Sequence, residues 1–262
     1  MTLSLLALPL GLLIGVSLGA LGGGGSMLTV PALVYVIGEN PRSATSASLV
    51  IVGATALTGT IRHARSRRVR WIPGLIFGCI GVGGSLLGSA LNRLVNPNVL
   101  LLAFAGVMLL AAGAMMQRSA QATRVQPSTP RAVAGGLTAQ LLVALAAVGT
   151  VVGFMTGFFG VGGGFVVVPG LVVALGFGMA EAVGTGLMII ALNSVVALAA
   201  RGGVSAVDWY VVIPFTAAAM AGSVVGVGLA ARVPASALER IFAGLLTLVA
   251  VSVATKSILA LV

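Results

Sequence analysis

The stretch "GALGGGGSMLTVP", Gly19 to Pro31, sets four consecutive glycines and a serine inside one of the most apolar parts of the chain. Consecutive glycines each cost a helix interior about 1 kcal/mol relative to alanine. A segment suited to lipid is therefore expected to break at Gly22–Gly25, and broken backbone at membrane depth is tolerated only where protein buries it or a polar cavity lines it.

The whole chain has the same character. Of its 262 residues 59% are hydrophobic and 7% charged, and the mean hydropathy is +1.19, more apolar surface than one soluble core of this size could hide. Apolar blocks run from Leu3 to Ile37, Ala44 to Ile61, Trp71 to Leu91, Val99 to Met116, Leu137 to Leu175, Ala182 to Ala200, Trp209 to Ala230 and Ala237 to Leu261. Lengths of this order span a hydrocarbon core of about 30 Å as helices. The expected fold is an all-α polytopic membrane protein. The N-terminal block lacks a basic n-region and continues past Gly25, so it reads as a retained first membrane segment rather than a cleaved signal.

Net charge is +10, from 14 basic and 4 acidic residues, and every basic residue but Lys256 is an arginine. Most sit in the joins between apolar blocks, where cations held on the cytoplasmic side fix topology, so no nucleic-acid partner is implied. The loop with Arg62, Arg65, Arg67, Arg68 and Arg70 and the interval with Arg118, Arg124 and Arg131 are expected to face the cytoplasm. The single cysteine, Cys79, lies in an apolar run and reads as a small buried residue.

Sliding the sequence by 138 positions superimposes Gly15–Pro31 on "GFMTGFFGVGGGFVVVP", Gly153 to Pro169, without a gap. Gly22, Gly24 and Gly25 meet Gly160, Gly162 and Gly163, while Gly23 meets Val161 and Ser26 meets Gly164. The same offset pairs Trp71 with Trp209, "GSLLG" at Gly84 with "GSVVG" at Gly222, and "FAG" at Phe104 with "FAG" at Phe242. This is an internal duplication: a first repeat over 1–116, a cytoplasmic linker over 117–132 and a second repeat over 133–262. Duplicated membrane halves are the usual build of secondary transporters, with the substrate bound between the repeats.

Eight blocks give about four transmembrane helices per half, each half opening with a Gly-broken helix. One feature resists that count. Leu3 to Ile37 as a single helix would be about 52 Å long, more than one crossing needs. If the chain turns back at the glycines, each half has five passes and the repeats are inverted. Charge does not choose: eight crossings put Arg42, Arg93, Arg232 and Arg240 outside, ten put Arg42, Arg93, Arg201 and Lys256 outside, and four basic residues lie outside either way.

Two roles separate among the glycines. Gly11, Gly15 and Gly19, like Gly153 and Gly157, are spaced by four and suit close helix packing. The breaks at Gly22, Gly24 and Gly25 and at Gly160, Gly162, Gly163 and Gly164 each leave a helix N-terminus whose N–H groups and half positive charge suit an anion; Ser26 adds a hydroxyl on one side. Polar residues of the second helix in each half could complete the site: Ser46, Ser48, Thr55 and Thr58, then Thr185, Asn193 and Ser194. A hydroxyl there more often bonds its own helix. An amide such as Asn193 is costly in lipid unless it pairs across helices or binds something.

Other chemistry lacks material. His63, in the arginine-rich loop, has no Cys, Asp or Glu at ligand spacing, so neither a metal nor another cofactor is expected. One His and one Cys give little for nucleophilic catalysis. Glu39, Glu181, Asp208 and Glu239 sit at block ends rather than mid-helix, where a proton relay belongs.

The paired segments ending in Val-Pro, each followed by a Ser/Thr-containing helix and then "VRW" or "VDW", resemble the TauE/SafE family of sulfite-exporter-like transporters. The resemblance covers nearly the whole chain. It implies a bacterial or archaeal inner-membrane permease for small anions such as sulfite, sulfoacetate or related organosulfur compounds, working in the bilayer and able to form homo-oligomers. The second helix of a repeat in this family tends to begin Gly-Thr-Ser; here the aligned positions read "SAS", Ser46 to Ser48, and "GTG", Gly184 to Gly186. A passive anion channel and a non-transporting scaffold are the readings from other classes.

Overall fold

The computed structural model describes residues 2–92, 95, 97–122, 139–159, 164–200 and 207–259. They form α1 (Thr2–Leu21), α2 (Gly24–Pro31), α3 (Pro41–Arg65), α4 (Trp71–Asn92), α5 (Pro97–Ala122), α6 (Ala139–Phe159), α7 (Gly164–Pro169), α8 (Met179–Ala200), α9 (Trp209–Ala230) and α10 (Ala235–Leu259). There is no strand among the described residues. Six stretches are long and apolar enough to cross a membrane: Ser43–Arg65, Trp71–Leu91, Ala139–Phe159, Met179–Ala199, Trp209–Ala230 and Ala235–Thr255. Ala7–Leu21, Gly24–Val34, Leu102–Arg118 and Gly164–Ala174 are shorter apolar helices.

The long block Leu3–Ile37 is a hairpin. Gly22, at φ +76°, takes a left-handed conformation open to glycine and strained for other residues, and its N–H donates to the Leu18 carbonyl at 2.8 Å. The chain then runs back along α1. A methyl group on Gly25 would lie 2.6 Å from the Ile14 oxygen and 2.7 Å from the Leu18 nitrogen, whereas a straight helix would hold Gly25 about 16 Å from Ile14. The second long block does the same. Gly170 lies against Val148 and Val152 of α6, a methyl group there meeting Val152 at 3.0 Å. Pro31 and Pro169 end the returning helices, since proline has no N–H and crowds the carbonyl one turn back. The wider π-helical turns Ala32–Val36 and Gly170–Ala174 carry each arm on.

Glycines set the helix packing. On α1, Gly11, Gly15 and Gly19 rest against the backbone of Phe215, Ala219 and Ser223 on α9, while Gly222 and Gly226 rest against Leu12 and Val16 in return. On α6, Gly149, Gly153 and Gly157 rest against Phe77, Gly81 and Ser85 on α4, and Gly84 and Gly88 against Thr150 and Phe154. Lipid supplies no hydrophobic drive between helices, so close backbone approach is what holds such seams; the four-residue spacing is used for packing, as expected. The helices α3 and α8 pack on each other, as do α5 and α10.

Two expectations change. Cys79 is exposed rather than buried: it lies on the outer face of α4, where lipid accepts apolar groups as readily as the interior does. The interval read as a linker from Gln117 begins as helix, since α5 runs on to Ala122.

The seams give a direct test. Gly15→Val, which drives a branched side chain into the α9 backbone, is expected to destabilise the protein by at least about 2 kcal/mol. Gly106→Val, with nothing within 4 Å of its position, is expected to change stability by less than about 0.5 kcal/mol. Melting curves of the two purified variants in one detergent compare them directly.

Candidate functional site

The two hairpins meet at their tips. Gly23, the N-cap of α2, has no side chain to cap the helix, and the first N–H groups of a helix have no partner within it. A methyl group on Gly23 would overlap the Gly164 carbonyl and lie 2.8 Å from the Phe165 nitrogen. Seen from α7, a methyl group on Gly164 would come within 2.5 Å of the Ser26 hydroxyl and 3.0 Å of the Gly23 Cα. Ser26 thus fills the space a side chain at its counterpart would need, while its hydroxyl donates to the Gly23 carbonyl at 2.7 Å. Gly22 touches Val168 and Val183, Gly24 touches Phe242 and Leu245 of α10, and Gly25 touches α1. Ser26, Gly24, Gly25 and Gly164 are all buried.

Beside this junction α3 and α8 cross antiparallel, with Gly53 against Ser194 and Gly59 against Leu187. Thr55 and Asn193, counterparts under the 138-residue offset, therefore lie at one level of the pair. Thr55 is buried; its hydroxyl donates to the Ile51 carbonyl at 2.6 Å, and its own carbonyl accepts from Ser223 at 3.4 Å. Asn193 is one turn beyond Ile190, which touches Gly164, and its buried Oδ1 has no hydrogen-bond partner among the described residues.

Of the residues singled out from sequence, Gly22, Gly24, Gly25, Ser26 and Gly164 gather at the junction, with Thr55 and Asn193 on the neighbouring pair. Gly160, Gly162 and Gly163 lie outside the described residues. Ser48 donates to Thr45 within its own helix at 2.8 Å. Thr185 is elsewhere: its hydroxyl accepts the Arg70 N–H at 3.0 Å. Gly23, passed over because its counterpart is Val161, makes the closest backbone approach of all. Its signal was the length of the glycine run, not its recurrence.

Three polar groups escaped the sequence. His63 is in the last turn of α3 rather than in the loop, 1% exposed, with Nε2 3.3 Å from the Gly19 carbonyl and Nδ1 unpartnered among the described residues. The loop after it docks on the start of α8: the Arg70 guanidinium holds Glu181 Oε1 at 2.7 and 3.2 Å. That pair is partly exposed, at 40% and 25%, and is worth at most about 1 kcal/mol. Glu239 is inside rather than at a helix end. The helix begins at Ala235, about half a turn earlier than hydropathy indicates, and the side chain is 6% exposed. No group of three potential metal ligands occurs among the described residues.

The chain matches known proteins over most of its length. The family model described as "Sulfite exporter TauE/SafE" matches residues 7–253. A "Probable membrane transporter protein" of Xylella fastidiosa (strain 9a5c) is 34% identical over 94% of this chain and 92% of its own length. "Probable membrane transporter protein YunE" of Bacillus subtilis is 28% identical over 83% and 85%. "Probable membrane transporter protein MJ0441" of Methanocaldococcus jannaschii is 26% identical over 73% and 71%. No solved structure matches. With ten apolar helices and a family match spanning both hairpins, the chain is a membrane transporter belonging to the TauE/SafE sulfite exporter family.

Proposed function

We propose that the chain is a secondary transporter for a small anion, with sulfite, sulfoacetate or a related organosulfur anion as its cargo, bound where α2 begins beside Gly164. The observation that carries this reading is the junction itself. Glycine backbone lines the junction with no side chain over it, and the α2 N-terminus offers N–H groups and partial positive charge without a fixed cation. An anion so held is neutralised only in part, which suits a cargo that must also leave. Asn193, one turn from the residue touching Gly164, supplies an amide whose carbonyl has no partner among the described residues. Its –NH2 group is the half of the amide that can donate to an anion.

Both halves, 1–116 and 133–262, contribute to each moving part. Every glycine contact on the α1–α9 seam has a counterpart on the α6–α4 seam at the 138-residue offset, which supports the duplication. A hairpin returns the chain to the side it came from, so α3, α4 and α5 make an odd number of crossings in each half, and the second half is inverted. The arginine loop and the 117–132 interval then face the cytoplasm of a bacterial inner membrane, with the N-terminus outside. The glycine seams tie α1 to α9 and α6 to α4, giving two stiff units, each drawn from both halves, that rock about the junction.

Two measurements check this. In proteoliposomes, labelled sulfite or sulfoacetate is expected to enter saturably, and Asn193→Ala is expected to cut that flux at least about tenfold while shifting stability by less than about 1 kcal/mol. Undiminished flux would remove Asn193 from the site, and a bilayer conductance without saturation would make the protein a channel. In a Cys79→Ser background, cysteines at Thr2 and Asn40 should both react with an impermeant maleimide from outside, and one at Ser66 only from inside. Labelling of Thr2 from the cytoplasmic face would restore the eight-crossing path.

A further inference from the structure

The fourth acidic residue is placed where nothing in the proposed anion path uses it. Glu239 is in the second turn of α10, 6% exposed, and its Oε2 is buried without a hydrogen-bond partner among the described residues. It shares a helix face with Phe242, one turn on and fully buried. The Phe242 ring lies 3.6 Å from where a side chain on Gly24 would begin. A carboxylate thus sits one helical turn from the residue that covers the start of α2. An unneutralised carboxylate in so apolar a place is expensive, and within membrane segments such groups mark ion and proton paths.

The charges around it are few. α10 packs on α5, α8, α1 and α2. Among the described residues of these elements, Arg118 on α5 brings the charge that acts on Glu239, and that guanidinium donates to the Phe177 carbonyl at 3.3 Å, just past the returning arm of the second hairpin. The one ionisable residue of α8, Glu181, is held by Arg70. α1 and α2 carry none. Arg240, next to Glu239 in sequence, is exposed and lines the outer groove between α5 and α10 with Met116 and Thr247.

We propose that Glu239 is the coupling site of the transporter, taking a proton from water onto Oε2 and releasing it on the other side, so that proton and anion travel together. The proposal rests on the reading that the anion binds beside Gly24. An anion there and an ionised Glu239 repel across one helical turn of protein, where charge interactions are screened far less than in water. Protonation removes that repulsion, so a bound proton strengthens anion binding. By linkage a bound anion strengthens proton binding equally. Each then enters more readily with the other, which is symport.

The test uses sulfoacetate, since sulfite itself exchanges protons near neutral pH and would carry them unaided. In proteoliposomes containing a trapped pH-sensitive dye, inward sulfoacetate flux through the wild-type protein should acidify the lumen. Glu239→Gln should lower that acidification, and accumulation driven by a pH gradient, at least about tenfold, while exchange of labelled for unlabelled sulfoacetate persists; Glu239→Asp should recover part of the coupling. Wild-type acidification in the Gln variant, or flux that follows a sodium gradient instead, overturns the proposal. So does loss of exchange and gradient-driven uptake together, with a lowered melting temperature, because that is what a structural role would give. A second readout needs no cargo. The infrared carboxylic-acid band missing from Glu239→Gln should come and go reversibly with pH in the wild-type protein, and a band that does not titrate also overturns it. A protein whose Glu239 titrates but which moves no sulfonate or sulfite would keep the proton site and discard the anion reading.

Discussion

Backbone-to-backbone contact between Gly23 and Gly164 is the constraint on which the rest of the molecule depends. A chain that stops being helical inside a bilayer exposes N–H and C=O groups that lipid cannot satisfy, each at a cost of several kcal/mol. The break at Gly22 and Gly23 is tolerable here because it is buried against Gly164 and roofed by α10 through Phe242 and Leu245. That arrangement requires the hairpin arms to approach closely, and their outer helices can do so only along glycine seams with α9 and α4. The seams, the hairpins and the junction are one solution to one problem in hydrogen bonding.

Much of this was legible. Block lengths and hydropathy gave the all-helical membrane architecture, and the excess length of Leu3–Ile37 together with the glycine run marked where the helix breaks. The direction taken after the break was not legible. A reversed and a continued chain bury the same apolar residues, and four of the 14 basic residues lie outside in either path. Gly25 against Ile14 decides it, and that contact is made by tertiary packing alone. Cys79 was misplaced for a related reason: a helix bathed in lipid is apolar all round, so composition does not say which face turns inward.

Among the site residues, the glycines were readable because only helix breaking accounts for four in a row, and Asn193 because an amide is costly in lipid. Ser48 and Thr185 were less so, since one hydroxyl looks like another until its partner is known. Glu239 and His63 were hidden by boundaries. Hydropathy starts α10 at Ala237 and ends α3 at Ile61, whereas the helices run from Ala235 and through Arg65. A turn of helix or less at an end is enough to carry an ionisable group from a loop into the interior.

Ser26 and Gly164 share a single seat. The hydroxyl occupies the volume that a side chain on the opposite residue would need, so these two equivalent positions cannot both bear one. A perfectly symmetric protein with serine at each would be pushed apart at its centre; with glycine at each it would lose the hydroxyl altogether. Two positions that the 138-residue offset equates are thus obliged to differ. On the proposed path a cargo between the hairpins would meet a different wall on either hand, so one with two unlike ends would be held in one orientation rather than two.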